Sequence, residues 1–138
     1  METIKTFKHN CMIIRVRPES IKIRGSLYEA VHRCWKAKKQ NAEKADYVLA
    51  LVGTIKNRDL KVQAVYKPER WYYPVSEGLC KEKKDECSKK YKVDPQQCQK
   101  NPRIGFEGKE MKNDTDYLHK LIPEKYYPFQ NPVRYNYK

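Results

Sequence analysis

Two stretches decide the fold: DYVLALV, Asp46–Val52, and LKVQAVYK, Leu60–Lys67, separated by Gly53 and the polar run Lys56-Asn57-Arg58-Asp59. The first is apolar almost throughout, as expected of a central strand covered on both faces. In the second, Leu60, Val62, Ala64 and Tyr66 alternate with Lys61, Gln63, Val65 and Lys67, so one set faces the core. With a turn between them the pair predicts a β-hairpin.

Working outward, CMIIRVR at Cys11–Arg17 mixes β-branched side chains with arginines, which predicts a strand with one buried face, ended by Pro18. Ser26-Leu27-Tyr28-Glu29 has the pattern of a capping box, in which the serine accepts from the Glu29 amide and the carboxylate reaches back. The apolar positions that follow, Leu27, Ala30, Val31, Cys34 and Trp35, recur at helical spacing and predict one main helix. Ala42–Ala45 adds a helical turn.

Between Pro74 and Asn101 aliphatic residues give way to Lys, Glu, Asp, Cys and Gln, a composition too polar to add much to a core. The stretch reads as an insertion, about residues 75–101, with short helices in Cys80–Tyr91. RIGFEGKE at Arg103–Glu110 predicts a bent strand with Phe106 buried. Asn113–Leu121 predicts a short helix capped by Asn113 or Asp114. The tail, 123–138, is expected to be extended and packed along the sheet.

At 138 residues the chain has room for one core, so 1–138 is read as a single α+β domain. Charge narrows its partners. Thirty Lys and Arg against 17 Asp and Glu leave a net +13, which attracts polyanions. No apolar run is long enough to span a bilayer and no basic amphipathic terminal helix is present, so nucleic acid, RNA or DNA, is expected rather than membrane. METIKTFKHN lacks the apolar stretch of a secretory signal, and a cytoplasmic location with reduced cysteines is expected.

The segments SLYEAVHRCWKAKK, AEKADYVLALV, VQAVYKPERWYYP, RIGFEGKE and QNPVRYN resemble the small domain that follows the nuclease domain in some bacterial GIY-YIG-type proteins. The likeness covers about residues 12–73 and 103–137. That domain in turn resembles the PUA-like group, whose relatives bind RNA or modified DNA bases. The resemblance implies a small, strongly curved antiparallel or mixed sheet, a partial barrel, with one main helix. No nuclease domain is expected within these 138 residues, and the Cys80–Cys98 insertion is a departure.

The residues expected to touch nucleic acid are aromatic and basic. Lys67, Arg70, Trp71 and Tyr72 lie where the hairpin leaves the sheet, and there an aromatic ring can stack a base while a cation neutralises its phosphate. The competing role for Trp71 and Tyr72 is core packing, which is also favoured for Trp35 on the apolar helix stripe. Arg134 and Lys125 extend this surface from the tail, Arg15, Arg17 and Arg24 with Lys22 form a candidate basic stripe, and Lys36, Lys38 and Lys39 follow the helix. Lysines there also complement its dipole.

Cys80, Cys87 and Cys98, separated by six and ten residues, lack the close cysteine pairs of a structural zinc site. Free thiols are expected, with no metal and no cofactor; His119 is the candidate fourth ligand for the opposite case. Three histidines, no P-loop, no G-x-S-x-G and no H-E-x-x-H give catalysis little to work with. Glu107 and Glu110 beside Lys109 are the only nuclease-like grouping. The alternative to nucleic-acid binding is docking on an acidic protein partner, with the insertion as the recognition element.

Overall fold

The structure is a computed structural model that describes residues 2–54, 56, 60–127 and 131–137. The two stretches that open the sequence reading become neighbouring antiparallel strands, with Val48 opposite Tyr66 and Ala50 opposite Ala64. Of the expected turn at 56–59, all but Lys56 lies outside the described residues. The strands are β1 Cys11–Val16, β2 Arg33–Trp35, β3 Tyr47–Val52, β4 Val62–Tyr72, β5 Ile104–Glu110 and β6 Val133–Tyr135. They form a mixed sheet in the order β2-β5-β4-β3-β1-β6, curled like half a barrel. β1 and β3 run parallel, and residues 17–46 supply the crossover that a parallel pair requires. That crossover and the insertion carry five short helices, α1 Pro18–Arg24, α2 Leu27–Val31, α3 Lys39–Ala42, α4 Glu86–Tyr91 and α5 Pro95–Lys100. The architecture is α+β, and among the described residues no helix is long and apolar enough to cross a membrane.

Both faces of the sheet are covered. On one, Met12, Ile14, Val48, Ala50, Tyr66 and Phe106 pack with Ala30 and Val31 of α2. On the other, Cys11, Ile13, Leu49, Leu51, Val62 and Val65 pack with Ile4, Leu60, Tyr117 and Ile122. Cys11–Val16 is therefore buried along its whole length, where a single buried face was expected. The alternation expected in β4 breaks at a register shift: Ala50 faces Ala64, but Leu51 faces Val62, leaving Gln63 as the extra residue. Val62 thus joins the opposite face from Ala64 and Tyr66.

The helix expected to run from Ser26 to Trp35 is corrected. Ser26 does cap it, accepting from the Glu29 amide at 3.1 Å. The helix nevertheless ends at Val31, because His32–Trp35 is drawn to the sheet edge: the Phe106 amide donates to the His32 carbonyl at 2.6 Å, and Cys34 takes the left-handed conformation at φ 73°. The Trp35 indole donates to the Val31 carbonyl at 2.6 Å, satisfying an acceptor that a short helix leaves open. The helix expected within 113–121 is replaced by turns, with Asp114 accepting from the Tyr117 and Leu118 amides at 2.7 and 3.0 Å.

The described part of the tail is extended only in part: Glu124–Tyr126 winds into a short 3-10 helix, and Val133–Tyr135 is strand β6. β6 pairs antiparallel with β1, and Asn136 locks it there by accepting from the Cys11 amide at 2.8 Å and donating to the His9 carbonyl at 2.9 Å. The insertion is less polar inside than its composition suggests. Cys80, Cys87, Tyr91, Val93 and Cys98 are buried together with Cys34 of β2 in a third apolar cluster.

Candidate nucleic-acid interface

The chain segment that leaves β2 and enters α3 runs alongside the insertion, and between them opens a cleft of about 810 Å³. Lys36, Lys38 and Lys39 line one wall; Lys92, Asp94, Gln97 and Arg103 line the other, with Tyr73 at the junction. Five cations thus face one carboxylate. Lys39 is paired with Glu43 at 3.4 Å and stands 5.8 Å from the Tyr73 ring. Arg103 donates to the Cys34 carbonyl at 3.0 Å, which fixes it between the two walls. Lys36, Lys38 and Lys92 make no ion pair among the described residues. A concave surface with one sign of charge concentrates its field toward the opening, which suits an anion entering it.

Of the residues expected to bind, Lys36, Lys38 and Lys39 line this cleft and the others lie elsewhere. Trp71 is half-buried, its ring 5.1 Å from Phe106 and part of the core. Tyr72 is buried, with Arg70 over its ring at 4.7 Å, so it offers no open face for a base; burial pushes its hydroxyl up to about 12. Arg70 is held by Glu77 at 2.8 Å and Glu107 at 3.0 Å. Glu107 therefore serves an ion pair. Trp35 is half-buried against the core, and Lys67 and Arg17 are exposed on β4 and before α1. Arg15 is buried and donates to the Gly53 carbonyl at 3.3 Å, which takes it out of the expected basic stripe. Arg134 reaches the Lys125 carbonyl at 3.0 Å. Lys92 and Arg103 were missed because one sits inside the insertion, after α4, and the other just beyond it, and no local pattern links them to Lys36–Lys39.

The far wall is tied to the sheet by a polar network. Tyr91 of α4 donates to the Glu29 carboxylate at 2.9 Å, Lys90 reaches the same oxygen at 2.9 Å, and Arg33 holds Glu86 at 2.6 Å. Inside this network His32 is buried, 3.1 Å from the Tyr91 hydroxyl and stacked on Tyr28 at 4.7 Å. Burial, with the Arg33 charge beside it, holds His32 below its ordinary value. Burial works in the other direction on Glu29, but hydrogen bonds from Lys90 and Tyr91 outweigh it and hold its carboxyl low.

Both shifts act with one sign. The unfolded chain takes up the His32 proton more readily than the folded one, so this stabilisation is complete above about pH 6.5 and is lost as pH falls through and below that value. The Glu29 contribution is lost further down, below about pH 4.3. Melting temperature is expected to fall between pH 7.5 and 5 in the parent and to fall less in His32→Gln. Equal slopes in the two proteins would mean that His32 is not the group responsible.

No family model, curated protein or solved structure matches the chain.

Proposed function

We propose that the chain is a nucleic-acid-binding module of PUA-like build that takes a single-stranded or base-modified stretch of RNA or DNA into the cleft beside Tyr73. The observation that carries this is the gathering of Lys36, Lys38, Lys39, Lys92 and Arg103 on facing walls of one cleft, against Asp94 alone, in a chain of net charge +13. The lysines neutralise backbone phosphates and release their counterions. Tyr73, one of two large apolar side chains left exposed among the described residues, supplies a ring on which a base can stack. The curled mixed sheet supports the PUA-like reading, and the pocket moves from Trp71 and Tyr72 to their neighbour.

The test uses fluorescence anisotropy with labelled single-stranded RNA and DNA oligonucleotides over a salt series. Removing all three near-wall lysines, Lys36→Ala with Lys38→Ala and Lys39→Ala, is expected to lower the slope of log affinity against log salt by about 2 and to weaken binding roughly 10- to 100-fold. Tyr73→Ala is expected to cost about 1–3 kcal/mol with the slope unchanged. If the triple variant binds as the parent does, the cleft is not the site.

A further inference from the structure

Four of the five cysteines meet in the third cluster. Cys34 comes from β2, Cys80 from the loop before α4, Cys87 from α4 and Cys98 from α5, and each is at most 6% exposed. Cys34 Sγ lies 3.5 Å from Cys87 Sγ, and the buried Cys80 and Cys98 thiols lie within interaction range of each other. The two pairs are adjacent, with Cys80 in electrostatic reach of Cys87 and Cys34 in reach of Cys98. All five cysteines are free thiols.

The surroundings say what such a cluster is for. Among the described residues, Tyr91 and Val93 are the other buried members of this cluster, with Val75 and Leu79 partly buried against it. A segment this short with so few aliphatic side chains does not build a sufficient core and is ordinarily fastened by a metal or by disulfides. Two observations favour the metal. Sulfurs around a tetrahedral zinc ion stand about 3.8 Å apart, given Zn–S bonds near 2.3 Å, and the 3.5 Å Cys34–Cys87 separation is close to that and far from the roughly 2.0 Å of a disulfide. Four thiolates around Zn²⁺ also carry net negative charge, and Arg24 and Arg33 both lie in electrostatic reach of Cys34 to offset it.

We propose that Cys34, Cys80, Cys87 and Cys98 form a tetrahedral site for a soft divalent metal ion, zinc in the first place, which fastens the insertion to the edge of the sheet. No three His, Cys, Asp or Glu side chains among the described residues are already arranged to hold a metal ion. Binding therefore draws the two thiol pairs around one centre by side-chain rotation, each thiol releasing its proton to solvent as its sulfur bonds the metal. This departs from the free, metal-less thiols expected from sequence, and His119, the candidate fourth ligand for the opposite case, has no part in it.

The full-length protein, purified without chelators, is expected to carry about one zinc ion per chain by elemental analysis. Cobalt(II) exchanged into it is expected to show the thiolate charge-transfer and tetrahedral ligand-field bands of sulfur coordination, and a strong chelator is expected to lower the melting temperature. In denaturant without reductant all five thiols should titrate. Cys98→Ser is expected to lose the stoichiometric metal, and Cys11→Ala to keep it. Metal-free protein with an unchanged melting temperature in added zinc would overturn the proposal. So would a single titratable thiol in place of five, which would show two disulfides instead. Should Cys98→Ser fail to fold, the cobalt spectrum and thiol count of the parent decide the matter alone.

Discussion

Phe106→Ala is expected to lower the unfolding free energy by about 3–5 kcal/mol, enough to leave a domain of this size marginally folded. Phe106 is fully buried, and its ring meets Trp71 at 5.1 Å and Tyr28 and Tyr66 at 6.1 Å each. Those three side chains come from two different elements, α2 and β4, and their own positions are fixed: Tyr28 accepts from the Gly108 amide and Trp71 lies in the strand ladder. The site therefore collapses poorly around a deleted ring, which places the cost toward the upper end. Urea unfolding followed by circular dichroism is expected to show a lower midpoint at unchanged slope. Phe106→Leu, which keeps most of the volume, is expected to lose under about 1.5 kcal/mol. A similar loss in both variants would mean that filled volume is not what Phe106 supplies.

Gly108→Ala is expected to cost about 1–3 kcal/mol or more although it adds one methyl group. A Cβ at Gly108 would stand 2.4 Å from the Lys67 carbonyl oxygen and 3.0 Å from Pro68 Cα. Both are backbone atoms of the facing strand, so no flexible side chain can move aside. Pro68 sits opposite Gly108 at the irregularity between β4 and β5, and it has no amide hydrogen to pair. The two strands approach closely there because one partner has no side chain. Calorimetry is expected to show a drop in melting temperature of at least about 5 °C. Gly78→Ala, where a Cβ meets nothing within 4 Å and only the positive φ of 76° is strained, is expected to lose less.

Patterns confined to one element were legible in the sequence, and those that depend on a distant partner were not. DYVLALV and LKVQAVYK announce adjacent strands because composition and alternation are local. Ser26 announces a helix start for the same reason. Where that helix stops is a tertiary matter: Cys34 and Trp35 continue the apolar spacing, but β5 offers hydrogen bonds to His32 and Arg33 that the helix would forgo. Gln63 bulges for a similar reason, since both faces of β3 demand apolar partners. At the candidate site, Lys36, Lys38 and Lys39 stood out as a basic run, yet their role as one wall depends on Lys92 and Arg103 arriving from the insertion. Tyr72 and Trp71 drew attention by type, but Trp71 packs against the core beside Phe106 and Tyr72 is buried with Arg70 over its ring. The cysteines hid most completely: the spacing of Cys80, Cys87 and Cys98 says little until Cys34 joins them.

The edge pairing of β6 against β1 bears on how the chain reaches this structure. Cys11 and Asn136, which hold that edge together, are 125 positions apart. β1 is buried on both faces, so until β6 arrives its outer rim is an open apolar template while the rest of the sheet forms. Closing a loop of this length comes late and slowly compared with a hairpin. A nascent chain would hold its first strand half-paired through most of synthesis, with self-association of that rim as the competing fate. The two carboxamide contacts of Asn136 are then the latch that ends the vulnerable interval.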